Sequence, residues 1–503
     1  MVFDPAKADL VVGIVGAGAM GRGIAQVAAT GGMRAVIFDT APGAADAAIG
    51  FVAGMLERAA EKGRMTAPEA AAAAGRLTAV ADLSDLAAAD LVVEAVVEDV
   101  AVKREIFARL AALVGPEAVL ASNTSSIRIA GIAAGSPAAP RIAGMHFFNP
   151  VPLMKLVEVI AAPETSPATV EVLLAIGRRM GRVPVAVKDS PGFLVNLGGR
   201  AFVTEGLRIV SEGVAEPAQV DAVMRDAWGY RMGPFELMDL TGIDVNFPVS
   251  RIVYEGYFHD RRLATQPLHE AMNMAGRLGR KTGAGFYDYD ADGTKLAPPA
   301  DAPGTGPAAP VLVLAEPDEE LAALCRDAGA RVVAADDGQA PIVAAPLGED
   351  ATALATRLEL DPRRLVALDL LSNPARRLTV MVAPGADRGV LDAVVARFAQ
   401  PDRPVTAIKD SPGFIGQRIQ AMVANLGCEM AQARIATPED IDKGIELGLN
   451  YPSGPLKLAD RIGPEMVLAI LETLQAITGD DRYRPALWLR RRALLGLLAL
   501  TPD

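Results

Sequence analysis

Cysteine is nearly absent: the 503 residues contain only Cys325 and Cys428. Two such residues supply neither a disulfide framework nor a spaced set of metal ligands, so a metal-free site and a reducing, cytoplasmic setting are expected. Aromatic residues make up 5% of the chain, and there are three histidines, His146, His259 and His269. Basic residues are outnumbered, 49 against 61 acidic ones, for a net charge of -12. That argues against a nucleic-acid partner, because phosphate backbones are held by clustered Lys and Arg; a small polyanionic ligand stays open if positive charge is concentrated locally. No apolar run reaches the ~20 residues of a bilayer span, and residues 1–9 mix charged with apolar groups, unlike a secretory signal. The nearest approach, residues 486–500, is interrupted by Arg490, Arg491 and Arg492 and reads as an amphipathic packing helix.

A chain of this length exceeds one hydrophobic core, since domains usually run about 100 to 150 residues. Over the first part, short β-rich apolar runs at 10–15, 35–38, 91–97, 118–121, 142–147 and 156–160 alternate with Ala-rich helical stretches. This alternation predicts an α/β, doubly wound, mostly parallel Rossmann-type sheet over 1–188. After the breaker Pro191-Gly192 the pattern changes to long amphipathic segments, predicting an all-α domain over 189–290. Residues 291–310, loaded with Pro and Gly and lacking periodicity, read as a linker. The low-complexity stretch 67–74 is a helix signal.

Beyond the linker, residues 311–503 read as a worn copy of the first part of the chain. VKDSPGF at 187–193 recurs as IKDSPGF at 408–414, and YRMGPFELMDLTG at 230–242 recurs as YPSGPLKLADRIG at 451–463, both at an offset of 221 that Asp221 and Asp442 also keep. Internal repetition of this kind predicts a second helical domain over 408–503 that repeats 187–290. Residues 311–407 then take the place of a second, degenerate Rossmann-like domain. There VLVLAEP stands where the first copy has VGIVGAGAMG, so the glycines that close phosphate approach requires are missing and no dinucleotide should bind.

In the first copy, Gly16-Ala17-Gly18-Ala19-Met20-Gly21 follows a predicted strand, opens a helix at 20–29 and precedes a second strand ending in Asp39. The first glycine makes the turn, the second lets the backbone reach a pyrophosphate, and the third lets helix pack on strand, with the helix N-terminus facing the phosphates. Asp39 would accept hydrogen bonds from ribose hydroxyls and repel a 2'-phosphate, which selects NAD over NADP. FAD uses a similar fingerprint, but no second flavin signature accompanies this one.

Oxidising an alcohol by hydride transfer needs a base for the hydroxyl proton, and imidazole titrates in the suitable range. His146, in MHFFNPVP at the end of a predicted strand, sits where open parallel sheets place ligands. His259 and His269 lie among charged residues and are expected to face solvent. Twelve residues after His146, Glu158 interrupts the apolar run KLVEVI, and a buried acid needs a partner such as an imidazole that becomes charged. The alternative is that Glu158 reaches solvent from the sheet face. Ser125, just beyond the 118–121 strand, reads as a substrate ligand or as a helix cap.

SNTSS at 122–126, HFFNPVPLMKLVEV at 146–159, KDSPGFLVN at 188–196 and KTGAGFYDY at 281–289 closely resemble the L-3-hydroxyacyl-CoA dehydrogenase family, over roughly residues 8–290. The downstream part resembles the degenerate second half of longer bacterial members. The resemblance implies an acyl-CoA substrate, His146 as general acid/base paired with Glu158, and Ser125 and Asn196 positioning the substrate oxygen. It further implies NAD contacts from Glu94, Lys103, Asn123, Ser125, Asn149 and Lys281, with Lys62 and Arg64 nearest to a CoA-binding role. It also implies dimer contacts through the helical domain. In this chain the second helical domain is expected to pack on the first as an intrachain pseudo-dimer covering the substrate cleft, with a homodimer still open.

The second copy has no histidine, sets Thr379 opposite Glu158 and replaces Asn196 by Gln417, so residues 311–503 are expected to be catalytically silent. Two other functions share the glycine loop. One is an NAD-dependent dehydrogenase of a hydroxy acid without CoA, and the other is a non-catalytic NAD-binding protein. The acyl group is expected to be short, as in 3-hydroxybutyryl-CoA, or 3-hydroxyadipyl.

Overall fold

The computed structural model describes residues 2–302 and 304–502. The chain divides into two compact units that do not follow its order: Met1–Leu197 with Ala433–Leu449, and Gly198–Gln432 with Asn450–Asp503.

The first unit is built on an eight-stranded sheet of β1 (Val11–Val15), β2 (Arg34–Phe38), β3 (Leu77–Val80), β4 (Leu91–Glu94), β5 (Val119–Ser122), β6 (Ile142–Phe147), β7 (Leu156–Ala161) and β8 (Val183–Lys188). Their spatial order is 3-2-1-4-5-6-7-8. Strands β1 to β6 run parallel, β7 turns back antiparallel to β6, and β8 follows β7. Every residue of β4, β5 and β6 is buried, the composition of strands covered on both faces by helices.

Two strands escape sequence reading. β3 buries only Leu77 and so carries little periodicity. β8 contains Pro184, which argues against a strand in the middle of a sheet but is accommodated here because β8 is the edge strand. The expected 91–97 strand stops at Glu94, whose side chain accepts the Val96 N–H at 2.7 Å and turns the chain.

The piece of the second half that joins this unit is anchored by the Lys188 N–H, which donates to the Ile435 carbonyl at 2.7 Å. The helix Pro438–Leu449 then packs on β7 and β8.

In the second unit, a short ribbon of β9 (Asp288–Tyr289) and β10 (Lys295–Leu296) ends the first helical region and reaches into the stretch read as linker. The second sheet comprises β11 (Val311–Leu314), β12 (Arg331–Val333), β13 (Ile342–Ala344), β14 (Leu365–Leu368), β15 (Leu378–Val382) and β16 (Val405–Lys409). Its order is 12-11-13-14-15-16, with β15 antiparallel to β14, as β7 is to β6. The Rossmann-like fold therefore persists although its glycine loop has gone. Duplication is visible even in the backbone: Phe193 and Phe414 both hold positive φ, +51° and +52°, and Gly242 and Gly463 hold +94° and +102°.

Helices from both halves pack together in this unit, Arg200–Ser211 against Gly416–Gln432. At their centre the fully buried Glu205 receives Arg418 Nε at 2.6 Å, Arg482 Nε at 2.7 Å and the Tyr483 hydroxyl at 2.7 Å. Burial alone would raise this carboxyl, but Arg482 and Arg418 hold it down at about 2. The helix expected over 486–500 is shorter, Leu487–Leu495, and is not amphipathic: Trp488, Leu489 and Arg492 are buried while Leu487, Leu494 and Leu495 are exposed.

Candidate active site

The turn after β1 has the geometry its glycines imply. Gly16 holds φ +106°, and a β-carbon on it would lie 2.5 Å from the Ala95 carbonyl oxygen. One on Gly21 would fall 1.8 Å from the Gly16 oxygen, so the third glycine is what lets the helix Ala19–Thr30 start against the turn. Around Gly18 nothing lies within 4 Å of that position, leaving an open approach to the backbone. No side chain caps this helix, so its first N–H groups and positive dipole end face the opening made by Ala17, Ala19 and Met20. Asp39, at the end of β2, accepts the Ala17 N–H at 2.7 Å and the Ala41 N–H at 2.8 Å, which fixes its carboxylate beside the loop. The set fits an adenine dinucleotide with a free ribose.

His146 and Glu158 stand directly opposite each other across β6 and β7. His146 Nδ1 lies 2.6 Å from Glu158 Oε2, and Glu158 Oε1 accepts the backbone N–H groups of Leu194 at 3.0 Å and Val195 at 2.9 Å. Glu158 is fully buried, so the solvent-facing alternative for it does not hold. With its acceptors engaged, the carboxylate requires the imidazole proton on Nδ1, which leaves Nε2 as the basic nitrogen. The ring is 6% exposed and packs 4.5 Å from Phe148 and 6.1 Å from Phe193, between centroids.

Ser125 is exposed just beyond β5, and its carbonyl accepts Asn196 Nδ2 at 3.2 Å, which joins two of the expected substrate-positioning residues. Asn123 Oδ1 accepts the Phe147 N–H at 2.8 Å, tying the end of β5 to the end of β6, while Asn149 is exposed in the following loop.

Glu94 and Lys103 turn inward. Both are buried, paired at 2.7 Å, with the Ser122 hydroxyl completing the carboxylate at 2.7 Å. Lys281 belongs to the second unit, where it pairs with Asp244 at 2.5 Å. Lys62 and Arg64 are exposed in the turn after the helix Ala44–Glu61.

Sequence reading missed two acids that shape the site. Glu98 accepts the Thr124 hydroxyl at 2.5 Å, the Ser126 hydroxyl at 2.9 Å and the N–H groups of Ser125 and Ser126 at 3.2 Å. Burial opposes its charge, but these hydrogen bonds and Lys103 keep the carboxyl below its ordinary range. Asp189 caps the helix Ile129–Ala133 through the N–H groups of Ile129 and Ala130 and pairs with Arg128 at 3.1 Å. The signal for Asp189 was present, because KDSPGF recurs and Asp410 caps Ala351–Arg357 the same way through Ala351 and Thr352.

Of the other histidines, His259 is exposed as expected. His269 is not: it is fully buried, edge-on to Phe247, with Nδ1 3.0 Å from the Thr265 hydroxyl. The apolar face of the helix Pro267–Met274 includes it, and charged neighbours in sequence lie on the other face.

The second copy preserves the frame of the pair without its chemistry. The Asp369 N–H donates to the Thr379 carbonyl at 2.9 Å, so the two residues oppose each other as His146 and Glu158 do. Gln417 Nε2 donates to Asp369 Oδ1 at 3.0 Å. Glu316 and Pro317 follow β11 where the first copy has Ala17 and Gly18, setting a carboxylate and a residue without N–H where phosphate would dock.

A separate cavity of about 990 Å³ lies under Phe107, Ala111, Pro137 and Ala138. It is at the opposite, N-terminal ends of the strands, where connections lead back into β5 and β6. Its two arginines, Arg104 and Arg141, already donate to backbone carbonyls. Among the described residues no helix is long and apolar enough to cross a membrane, and no cluster of His, Cys, Asp or Glu could hold a metal ion.

Family models described as "3-hydroxyacyl-CoA dehydrogenase, NAD binding domain" and "3-hydroxyacyl-CoA dehydrogenase, C-terminal domain" match residues 11–190 and residues 192–289 with 413–500. The second model thus matches both helical copies. The chain is 36% identical over 484 residues to the 3-hydroxyadipyl-CoA dehydrogenase of Escherichia coli K12, covering 96% of this chain and 97% of the relative. It is 41% identical over 278 residues to a probable 3-hydroxybutyryl-CoA dehydrogenase of Deinococcus radiodurans, covering 55% of this chain and 99% of that one. A crystal structure of 3-hydroxybutyryl-CoA dehydrogenase from Escherichia coli K12 superposes with a TM-score of 0.86 at 34% identity, covering 97% of this chain and 98% of the other.

Proposed function

The chain belongs to the 3-hydroxyacyl-CoA dehydrogenase family, and from that premise we propose how its residues carry out the NAD-dependent oxidation of 3-hydroxyacyl-CoA thioesters. It is an oxidoreductase that uses NAD. The bound nicotinamide supplies the hydride acceptor, and everything else falls to the chain.

His146 Nε2 takes the 3-hydroxyl proton of a (3S)-3-hydroxyacyl thioester and returns it in the reverse direction. Glu158, 2.6 Å from Nδ1, fixes the tautomer and stabilises the imidazolium that forms. Ser125 and Asn196 hold the substrate oxygen from the ends of β5 and the 194–196 turn. Gly16 to Gly21 and Asp39 hold the dinucleotide, with Asn123 and Asn149 at the same strand ends. Glu94 and Lys103 act from behind, by shaping the β4 turn, and Lys62 and Arg64 are assigned to CoA by family likeness. Lys281 is assigned to NAD by family likeness.

The carrying observation is the closed chain Leu194 and Val195 N–H, Glu158, His146, which leaves a single basic nitrogen at the C-terminal ends of the parallel strands, where the glycine loop also lies. For the acyl group, likeness along nearly the whole chain to a 3-hydroxyadipyl-CoA dehydrogenase supports that substrate beside short-chain ones. The meeting of both helical copies in one unit supports an intrachain pseudo-dimer, and the scarcity of cysteine, with both residues buried, supports a cytoplasmic setting.

The test is NADH oxidation with acetoacetyl-CoA and 3-oxoadipyl-CoA, beside free acetoacetate and beside NADPH. The reading requires turnover that depends on the thioester and on NADH. Equal turnover of free acetoacetate would favour a dehydrogenase of CoA-free hydroxy acids, and NADH binding without turnover of either thioester would favour a binding protein.

A further inference from the structure

Two glycines in the helix Pro438–Leu449 have no conformational reason to be glycine. Gly444 and Gly448 lie inside a regular helix, and neither has positive φ. Each costs a helix about 1 kcal/mol relative to alanine. Four residues apart, they share one face, and that face is pressed against the working site. A β-carbon on Gly444 would lie 2.4 Å from Leu194 Cδ2, and one on Gly448 would lie 2.8 Å from Val195 Cγ2 and 3.0 Å from Leu156 Cδ2.

Leu194 and Val195 are the residues whose N–H groups hold Glu158. Leu156 lies two residues before Glu158 on the same face of β7. The helix itself is held by the Lys188 N–H to Ile435 bond at its approach and by the buried Ile441 and Ile445.

The corresponding contact in the second unit is built the other way round. At the repeat offset of 221, Gly416 takes the place of Val195 and Trp228 that of Leu449. There a β-carbon on Gly416 would lie 2.2 Å from Trp228 Nε1, so the glycine stands at the Val195 position and the bulk lies on the residue that ends the packed segment Val223–Ala227. Close approach at this seat is thus kept in both copies; Ile415 keeps a side chain at the Leu194 position, and only the Val195 position has become glycine in the second copy.

We propose that the duplicated half is a working part of the active site. Through the glycine face of Gly444 and Gly448 it clamps the Leu194-Val195 turn, and so sets Glu158 and the orientation of His146. These glycines are positioning residues, acting on the reaction through Glu158, and the proposal rests on the acid/base reading of His146.

The test compares full-length Gly444→Ala, Gly448→Ala, the double variant Gly444→Ala/Leu194→Ala and His146→Ala in the thioester-dependent NADH assay, with Tm measured alongside. The added methyl crowds Leu194 or Val195, so a purely structural role predicts a lower Tm with the turnover of the folded enzyme unchanged. Positioning predicts a kcat about 10- to 100-fold lower in Gly444→Ala, by displacement of catalytic groups, with KM for NADH within twofold. Gly448→Ala, less crowded, should lose less, and trimming Leu194 in the double variant should restore most of the loss. Wild-type kcat in both glycine variants while His146→Ala is inactive would overturn the clamp alone. Full activity in His146→Ala would overturn the acid/base reading and the clamp with it. A fall in kcat that tracks Tm and is not restored by Leu194→Ala would also overturn the clamp.

Discussion

Asp369 occupies in the second sheet the position that His146 holds in the first, opposite Thr379 across an antiparallel strand pair. A general base has been replaced by a buried acid with one carboxylate oxygen, Oδ2, lacking any hydrogen-bond partner, while Thr379 Oγ1 and Trp228 Nε1 are likewise buried and unpartnered.

Burial pushes the Asp369 carboxyl up to about 6, against the hydrogen bonds from Gln417 and Leu371. A folded-state value above the unfolded one means a contribution that is full below pH ~3.8 and is lost as pH rises through about 6. Asp369→Asn should therefore gain on the wild type by roughly 2 kcal/mol between pH 4 and pH 8. Denaturant titrations of both proteins at the two pH values measure this, and parallel pH dependence would refute it.

His269 predicts the opposite slope. Burial, with Arg200 nearby, holds its imidazole down at about 4. The native state keeps it neutral while the unfolded chain takes up a proton below ~6.5, so stability is lost as pH falls from there towards 4. Replacing it by Gln should flatten this acid limb by about 3 kcal/mol, read from unfolding midpoints over pH 4 to 7.

Legibility in the sequence divided along physical lines. The β1 turn, the His146 strand and the duplicated KDSPGF segments were readable because glycine spacing, continuous apolar runs and verbatim repetition are local signals. β3 and β8 were not, being edge strands with one buried apolar residue or a proline. The burial of His269 was hidden by charged neighbours in sequence that lie on another helix face. Glu98 could not be singled out because its partners, Thr124 to Ser126, are more than twenty residues away.

At the cofactor loop, Asp39→Ala removes a charged acceptor from the Ala17 N–H and the ribose site together. A hydrogen bond to a charged group is worth about 1.5 to 3 kcal/mol. NADH affinity should fall roughly 10- to 100-fold, and the preference for NADH over NADPH should narrow, as read by fluorescence titration with each nucleotide. Retained affinity and preference would remove Asp39 from the site.

Glu205→Gln leaves Arg482 buried without its counter-charge and Arg418 with Glu212 alone. Breaking a buried pair in this way costs about 3 to 5 kcal/mol, so the variant should unfold at much lower denaturant than wild type. Glu212→Gln, at the exposed margin of the same network, should change the midpoint little.

The first unit closes only when residues 433–449 arrive. At a synthesis rate of about 5 to 20 residues per second, the segment up to Leu197 waits on the order of 10 to 50 seconds before its last helix leaves the ribosome. During that interval the β7 and β8 face that this helix covers is open, and the nascent chain depends on the intervening residues not folding in a way that withholds the helix. A gene split at the linker and expressed as two pieces would have to restore that contact by diffusion instead of along one polypeptide.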